Sequence, residues 1–381
     1  MNLPKRWTRG LLYIIAFYMR RLFPVLLIIL IASGCKKSEN NIAWEATYGK
    51  GDARFIRVTS NSGLIACGTS EAQPYLVRLD ENKMKVVEIS ADMQGVFTSA
   101  LYDTSGYITG GSTGGKMLLM RHSKAGNKLW EKIIDQDFNI DQTQLLVIDD
   151  NIFLAIGSAS PDTTYEMQTG LLFISFDSTG QVLKEQKYIS GFFIASYDAA
   201  PGNSGTIYLA LTRKEAFSEP KATVAKFNND LQHLWEVELA NNPEYGAATL
   251  AVIHDGSGMV YVAGRTELPK EGGGIIHNSF VSAISDEGSL SWKKYPESSN
   301  SGTALLLNSA GELVVLNANC FFINILEPVS GTDAGRIRMF DECDPNTTDA
   351  LASDFDIDLN NDFVVAGSLG GSFYLGVKSA P

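Results

Sequence analysis

The stretch Val96–Ile134 reads VFTSALYDTSGYITGGSTGGKMLLMRHSKAGNKLWEKII and decides the fold. It contains four runs of strand length, VFTSALYD, GYITGGS, KMLLMRHS and KLWEKII, which are separated by turn-forming residues such as DTSG. We term runs of these four kinds segments A, B, C and D. They recur from Asn41 to the end of the chain. No stretch of this region has a sustained 3.6-residue apolar period. The sequence therefore predicts an all-β protein built from a repeated four-strand unit.

Two series of positions give the same number of repeats. The Trp-like position of segment D recurs at spacings of 43, 43, 54, 51, 57 and 44 residues. Its members are Trp44, Val87, Trp130, Lys184, Trp235, Trp292 and Arg336. The last position of segment B also recurs seven times, at Gly68, Gly111, Gly157, Leu211, Gly264, Asn317 and Gly367. Because the two series are independent, we predict seven units.

The order of segments at the two ends predicts how the units close. The repeat region starts with a lone D segment, NIAWEATYG, at Asn41–Gly49, and its last segment is a C, SFYLGVKS, at Ser372–Ser379. A β-propeller closes its ring in this way, because the first strand completes the last blade and leaves no open edge. We therefore predict a single seven-bladed β-propeller over residues 42–381, which is long enough to bury a sizeable core.

The turns between segments C and D carry a resemblance to known repeats. SKAGNKLW, DSTGQVLK and SDEGSLSW share a polar or acidic residue, a turn glycine and, four residues later, an aromatic or long side chain. Here the chain resembles propeller lipoproteins of Gram-negative bacteria and, more loosely, the pyrroloquinoline-quinone-type propeller repeat. The resemblance implies fold rather than chemistry. Quinoprotein dehydrogenases of that type have eight Trp-motif blades, whereas only Trp44, Trp130, Trp235 and Trp292 occupy the position here, so a redox enzyme is disfavoured.

The N-terminus predicts export and lipidation. From Met19 the chain reads MRRLFPVLLIILIASGC, with two arginines, an apolar run Leu22–Ala32 and small residues up to Cys35. This is the pattern of a secretory signal, and its ending resembles the bacterial lipobox, which implies that Cys35 is lipidated. Eleven apolar residues are too few to span a bilayer. We interpret 1–34 as a signal peptide whose true start is Met19, and 35–41 as the lipidated cysteine and a polar tether. The predicted location is the outer membrane of the cell envelope, with the protein periplasmic or surface-exposed and the lipid as its membrane anchor.

The charge of the exported part excludes some partners. Met1–Gly34 has five basic and no acidic residues, so the remaining chain carries 26 basic against 43 acidic residues, a net charge of −17. An acidic surface repels polyanions, so binding to nucleic acid is disfavoured.

The cysteines other than Cys35 are few. Cys67 lies in segment B of the first unit, LIACG, where a small apolar side chain packs well. Cys320 and Cys343 belong to the sixth unit and the connection after it. They are either a disulfide, which an oxidising compartment permits, or two unpaired thiols.

One string resembles a metal-binding loop. SDFDIDLNND places Asp354, Asp356 and Asp358 at alternate positions, and calcium prefers clustered carboxylates. Leu359 stands where the helix-loop-helix calcium motif requires glycine. The alternative is that these residues are solvated acids of segment A, which lines the central channel of a propeller. No other cofactor is predicted, although a calcium ion at these three acids stays open.

Long connections between segments B and C indicate a binding face. They are SASPDTTYEMQTG, TRKEAFSEPK and RTELPKEGGGIIHN in units three, four and five, which are neighbours in the ring. Function in repeat folds gathers where insertions gather. The candidate residues for a ligand or partner are Tyr165, Glu166, Arg213, Lys214, Glu215, Phe217, Arg265, Glu267, Lys270 and His277. The alternative is that these loops are merely variable.

Three functions remain open from the sequence. The favoured one is a non-enzymatic binding or interaction module in the envelope, with a protein or glycan partner. The second is a hydrolase or lyase acting on exported polysaccharide or peptide, since propellers host such sites. A glycosidase needs two closely spaced carboxylates, and acids such as Asp137 and Glu244 lie on the long-loop face. The third is a structural scaffold in an outer-membrane complex. No catalytic residues are predicted.

Overall fold

The described residues form one all-β unit. The computed structural model describes residues 42–136, 139–149, 152–158, 170–189, 193–215, 218–240, 246–269, 275–296, 302–317, 322–338 and 350–379, all within the compact unit Ile42–Pro381. Their one helical segment is the 3₁₀ turn Asn203–Gly205, and none of these residues forms an apolar helix long enough to cross a membrane.

The strands follow one another at short intervals. In chain order they are β1 (Ile42–Val58), β2 (Leu64–Ser70), β3 (Gln73–Leu79), β4 (Lys85–Ser90), β5 (Val96–Asp103), β6 (Gly106–Thr113), β7 (Lys116–Ser123), β8 (Lys128–Ile134), β9 (Gln142–Asp149), β10 (Ile152–Ser158), β11 (Gly170–Asp177), β12 (Val182–Ile189), β13 (Phe193–Pro201), β14 (Ile207–Lys214), β15 (Lys221–Phe227), β16 (His233–Ala240), β17 (Ala247–His254), β18 (Met259–Pro269), β19 (Ile275–Ser285), β20 (Leu290–Lys294), β21 (Gly302–Leu307), β22 (Leu313–Asn317), β23 (Phe322–Leu326), β24 (Asp333–Arg338), β25 (Ala350–Ile357), β26 (Phe363–Leu369) and β27 (Ser372–Lys378).

These strands form antiparallel sheets of consecutive neighbours. Sheet I has seven strands in the order β25-β26-β27-β1-β2-β3-β4. Sheets II to VI have four each: β5–β8, β9–β12, β13–β16, β17–β20 and β21–β24. The stretch Val96–Ile134 is sheet II, and its four runs are the four strands. The predictions of an all-β fold and of a four-strand repeat are confirmed.

Strand β1 stands in the middle of sheet I and joins its two halves. Its first half pairs with β27, with Trp44 opposite Val377. Its second half pairs with β2, from Gly51 opposite Ser70 to Val58 opposite Leu64. Gly51 stands at the crossing, where a Cβ atom would lie 1.8 Å from the Thr69 carbonyl oxygen. Only glycine allows the two backbones to approach so closely. The first strand of the described chain thus joins the last strand, as predicted.

The core is a series of apolar clusters between successive sheets. The middle strands are buried on both faces, so adjacent residues face different clusters. In β6, Tyr107 packs between sheets I and II, whereas Ile108 packs between sheets II and III. Further clusters join III to IV, IV to V, V to VI and VI to I, and a seventh lies between the two halves of sheet I, β25–β27 with the start of β1 and the rest of β1 with β2–β4. This double burial explains why segments B and C read as nearly continuous apolar runs.

The Trp-like residues of the fourth strands connect neighbouring sheets. The Nε1–H of Trp235 donates to the Asp286 carbonyl oxygen, 3.1 Å away in the turn between the third and fourth strands of the next sheet. Trp130, Trp292 and the Lys184 Nζ donate to the equivalent turns, at Ser178, Pro328 and Asp230 respectively. The motif of turn glycine and tryptophan is therefore completed across two sheets, since each indole ring packs on the turn of the sheet that follows.

The Gly331→Ala substitution is expected to destabilise the fold more than Gly311→Ala. Both glycines lie in turns of sheet VI with positive φ, +67° and +78°, so alanine at either is strained by about 1 kcal/mol. A Cβ on Gly331 would also lie 2.8 Å from the Trp292 ring, whereas nothing lies within 4 Å of one on Gly311. Overpacking adds about 1–3 kcal/mol to the loss at Gly331. Urea unfolding measures both; equal losses would contradict the packing of Trp292 on this turn.

Candidate functional site

A cavity of about 1130 Å³ is surrounded by the first strands of the four-strand units. Its walls come from the second half of β1 and from β5, β9, β13, β17, β21 and β25, with Asp141 just ahead of β9. These strands correspond to segment A, which the sequence places along the central channel of a propeller. The ionisable lining residues are Asp52, Arg54, Arg57, Asp141, Asp198, His254 and Asp354.

A β-bulge in β1 directs two arginines into this cavity. The register of β1 against β2 shifts between Ala53 and Phe55, so Arg54 is an extra residue in the strand. Strict alternation would place Arg54 and Arg57, three residues apart, on opposite faces of the strand. The bulge removes that difference, and both side chains line the cavity. Similar shifts occur in β5, β13, β17, β21 and β25.

Within the described residues, hydrogen bonds hold the guanidinium group of Arg57 on one side. Its Nη1 donates to Asp354 Oδ2 and to the Ile56 carbonyl oxygen, both at 2.6 Å. The group also lies over the Phe55 ring, 4.5 Å from the centroid. The side chain is 46% exposed. Desolvation opposes its charge, but Asp354, Asp356 and Asp198 together raise the pKa of Arg57. It therefore stays a cation in the cavity.

Arg54 is held in a similar manner. Its Nε lies 2.6 Å from Asp52 Oδ2, and the side chain is 53% exposed. Burial raises the pKa of Asp52, whereas Arg54 and the Ser353 hydroxyl, which donates to Asp52, favour the carboxylate. Both guanidinium groups of β1 are thus oriented by a neighbouring carboxylate while about half of each side chain faces solvent.

Asp198 and Asp354 each connect two first strands in the same way. Asp198 accepts a hydrogen bond from the Val252 N–H of the next sheet at 3.0 Å and one from the Ala199 N–H at 2.9 Å. Asp354 accepts from the Ile56 N–H of β1 at 3.0 Å and from the N–H of the residue that follows it. Each aspartate directly follows a bulge, which turns its side chain towards the neighbouring strand. These carboxylates fix the strand spacing around the cavity.

The stability of the protein relative to its Asp198→Asn variant is expected to fall as pH rises from 4 to 7. Burial raises the pKa of Asp198 to about 6, although the Val252 N–H and Arg57 favour the carboxylate. Because the folded-state pKa exceeds the ordinary value of 3.8, the stabilising contribution is complete below pH 4 and is lost as pH passes 6. Between pH 4 and pH 7 the stability of the wild-type protein relative to the variant should fall by roughly 3 kcal/mol. Urea unfolding at stepped pH measures it, with Asp230→Asn, at a 74% exposed side chain, as control. A difference independent of pH would contradict the assignment.

The three acids considered for calcium have different partners. Asp354 and Asp356 accept from the Ile56 and Val58 N–H groups of β1, whereas Asp358 lies beyond the end of β25 and accepts from two N–H groups of its own turn. The expectation of solvated channel acids is wrong for Asp354, which is 9% exposed and bridges two strands, and for Asp358, which is 6% exposed in its turn. Among the described residues no group of three His, Cys, Asp or Glu side chains could hold a metal ion. A calcium site stays a prediction.

Four of the ten candidate residues on the long connections, Tyr165, Glu166, Phe217 and Lys270, lie outside the described residues, as do Cys35, Cys320 and Cys343. Arg213, Lys214 and Glu215 are at the end of β14, and the Arg213 Nη1 donates to Glu236 Oε1 at 2.8 Å.

The connection of unit five is shorter than predicted. Arg265, Glu267 and His277 lie in β18 and β19, which extend to Pro269 and from Ile275, with Glu267 opposite His277. The loop expected there is therefore largely a hairpin extension, since its aliphatic residues continue the ladder.

Backbone bonds bring two of these connections together. The Ala247 N–H donates to the Pro220 carbonyl oxygen at 2.8 Å, and the Glu267 N–H donates to the Gly246 carbonyl oxygen at 2.9 Å. The ends of the unit-four and unit-five connections thus adjoin, with the start of β17 between them. The unit-three connection lies outside the described residues, so the gathering of all three insertions in one sector stays a prediction.

The charged residues of the cavity, chiefly Arg54, Arg57 and Asp198, were not predicted from the sequence. Their signal was the presence of charged side chains in segment A, in GDARFIRV and SYDAA, where a propeller places its channel. The alternation of side chains along a strand could not by itself show that both arginines line the cavity. Cys67, in contrast, is fully buried in β2 as expected.

Comparisons with known proteins identify the fold. No family model matches the chain, and no curated protein matches it. The WD40 β-propeller domain of Doa1 has 13% identity and a TM-score of 0.60, over 90% of this chain and 97% of that one. The Neurospora crassa Pan2 WD40 domain has 11% identity and a TM-score of 0.56, over 87% and 90%. A protein of unknown function from Bacteroides caccae has 12% identity and a TM-score of 0.41, over 69% and 82%.

The first two similarities and the four-stranded sheets agree on the β-propeller architecture. At such identities the likeness shows the fold alone. The more specific resemblance to pyrroloquinoline-quinone-type repeats and to propeller lipoproteins stays a prediction from the sequence.

Proposed function

We propose that this protein is a non-enzymatic binding module, built as a seven-bladed propeller and carried on a lipid anchor in the bacterial cell envelope. The observation that carries the binding role is the cavity of about 1130 Å³, whose polar lining is already oriented by hydrogen bonds. Concave sites with a few convergent polar groups are the usual places for ligands. A ring of mutually connected sheets holds such groups rigidly, so little ordering is needed on binding.

Three features support seven blades. Each of sheets II to VI supplies one four-strand unit, and sheet I supplies two when the halves of β1 are counted separately. One apolar cluster lies between each pair of successive units, including the pair formed by the two halves of sheet I. The cavity is lined by one strand from each unit.

The anchor is supported by the signal-like run that ends at Cys35. A Cys35→Ala variant is expected to stay in precursor form and to lack the acyl mass that mass spectrometry finds on the wild-type protein. After fractionation, wild-type protein should sediment with outer membranes even in high salt, because lipid anchoring does not depend on surface charge. Recovery of unmodified wild-type protein, or equal acylation of the two proteins, would contradict the anchor.

The binding role is tested by capture from the native envelope. Mild crosslinking and affinity purification would compare intact protein with a variant in which residues 160–168 are shortened. The matched control shortens the A–B turn Ser309–Gly311, which lies at the opposite ends of the strands. A discrete partner lost only with the first variant would support an interaction face at the long connections. A partner retained by both variants would place the contact outside the long connections, and capture of no partner by the intact protein would contradict the interaction role.

A further inference from the structure

We propose that a groove between sheets I and II binds a small uncharged aromatic molecule of the indole or phenol class. The groove has a volume of about 510 Å³ and lies between the end of β4 and strands β7 and β8. Small-molecule sites commonly measure about 300–1,000 Å³. The groove shares no lining residue with the central cavity. This inference therefore goes beyond the proposed function and does not depend on it.

At other junctions between sheets, an aromatic ring of the chain itself occupies the equivalent place. The ring of Trp130 packs on Gly180 in the turn of sheet III and meets the ring of Phe176 edge-on, with centroids 5.9 Å apart. Trp235 packs on Gly288 of sheet V in the same manner. An indole ring thus fits between the fourth strand of one sheet and the turn of the next.

The junction of sheets I and II has the turn glycine but not the ring. Val87 stands at the position of the tryptophans, and a Cβ atom on Gly126 would lie 3.1 Å from its Cγ1. His122 stands at the position of Phe176, because each pairs with the first residue of the fourth strand in its sheet. Gly126 and His122 both line the groove. A valine and a histidine therefore replace the aromatic residues that fill the equivalent space at the next junction.

The junction of sheets III and IV, which also lacks a tryptophan, is filled in another way. Lys184 replaces the tryptophan there, and Leu231 stands at the position of the turn glycine, since its N–H closes the turn as that of Gly126 does. Leu231 is 3% exposed within the apolar cluster between the two sheets. The combination of Val87 with Gly126 thus leaves more room at the junction of sheets I and II.

His122 indicates that a ligand completes the groove. The residue is 2% exposed, and its Nδ1 has no hydrogen-bond partner in the described part of the chain. Burial and, secondly, Lys128 lower the pKa of His122 to about 4, so the ring is neutral at pH 7 and has one donor and one acceptor nitrogen. Buried polar groups are normally hydrogen-bonded. A ligand with a hydroxyl group or a ring N–H can supply such a bond, which favours phenol or indole over a plain hydrocarbon.

The apolar part of the lining suits an aromatic ring. Ile89, Ala91 and Met120 are at most 5% exposed, and Met93 lies beside them. Methionine sulfur atoms make favourable contacts with aromatic rings, and the flexible side chain adapts to the shape of a ligand. The two methionines therefore favour an aromatic ring over a saturated ring of equal size.

The charged part of the lining selects against anions. One basic and three acidic residues give a net charge of −2; they are Lys128, Glu88, Asp92 and Glu131. Glu88 and Glu131 already pair with Lys85 and Lys128, so they do not form a separate cation site. Because the remaining field is negative, an uncharged ring binds better than the same ring with a carboxylate.

NMR of the intact protein in detergent, with carbon-13 in its methionine methyl groups, tests this site. The probes are indole, phenol, cyclohexanol and indole-3-acetate, at equal free concentrations set by dialysis. Indole and phenol should shift the signals of Met93 and Met120, which Met93→Leu and Met120→Leu variants assign, but not that of Met259 in β18. Cyclohexanol should bind about threefold or more weakly than phenol, because it has no aromatic face. Indole-3-acetate should bind more weakly than indole.

Two results would overturn the inference. One is the absence of shifts at Met93 and Met120 with indole and phenol at millimolar concentrations. The other is binding of cyclohexanol or indole-3-acetate as tight as that of phenol or indole. Either result would leave the capture of an envelope partner, and with it the proposed function, untouched.

Variants that fill the groove locate the ligand. Val87→Trp supplies an indole ring from the chain itself and should weaken indole binding about tenfold or more. Ala91→Leu enlarges a lining residue and should act in the same direction. The control is Val86→Trp, at a 51% exposed residue on the opposite face of β4, which should bind like wild type. Thermal unfolding checks that each variant is folded. Undiminished binding by a folded Val87→Trp or Ala91→Leu protein would refute the site.

Discussion

Deletion of Ile42–Tyr48 is expected to lower the free energy of unfolding by more than about 4 kcal/mol. This half of β1 is the outer partner of β27. Without it, β27 becomes an exposed edge and loses its hydrogen bonds to β1, although it stays paired with β26. The apolar cluster between the halves of sheet I also loses Trp44 and Tyr48. Truncation of one such aromatic side chain costs about 3–5 kcal/mol in a core, and less where burial is partial.

Thermal and urea unfolding of the deletion variant measure the loss. The control removes Lys36–Asn41 instead, which shortens the chain by a similar length but leaves β1 complete; its unfolding should match that of wild type. The Trp44→Ala variant gives a milder change of the same kind, with a loss of about 1–3 kcal/mol. A deletion variant as stable as the control would show that the first strand does not close the ring.

Asp354→Ala is expected to have the second-largest effect, a loss of about 2–4 kcal/mol. The substitution removes the acceptor of the buried Ile56 N–H group and the partner of Arg57. Loss of one member of a buried pair costs about 3–5 kcal/mol. We lower the estimate because the Arg57 side chain is 46% exposed and can recover hydration in the cavity.

One further substitution separates the charge of Asp354 from its role as a hydrogen-bond acceptor, and another serves as a surface control. Asp354→Asn keeps one side-chain acceptor but no charge, so it should lose less than alanine does. Asp135→Ala removes an aspartate of a surface pair, with Lys116 2.5 Å away and the carboxylate 67% exposed, and should change the free energy of unfolding by less than about 0.5 kcal/mol. Urea unfolding at pH 7 compares them. Similar losses for Asp354→Ala and Asp135→Ala would contradict the bridging role of Asp354.

The repeat was predictable because each unit meets the same packing requirement. Trp130, Trp235 and Trp292 recur at one position since each must fill the same gap beside the next sheet. Middle strands such as β6 read as apolar runs because both of their faces are buried. A requirement that is repeated leaves a periodic trace in the sequence.

The candidate site was only partly predictable. Arg213, Glu215 and Glu267 were found as charged residues in long connections, and two of those connections do adjoin. The extent of β18 and β19 was missed, because the insertion of unit five has the glycines of a loop. The cavity residues were missed because the bulge at Arg54 reverses the face that alternation assigns.

By itself, the sequence determined the strand content, the four-strand period and the joining of the first strand to the last, because these depend on local propensity and on a packing pattern that recurs. Only the tertiary structure decided what the interior of the ring contains. Arg57 and Asp354 are 297 positions apart along the chain, and their contact exists only because β1 and β25 become neighbours. Such contacts depend on ring closure and on single-residue bulges, and neither leaves a periodic signal in the chain.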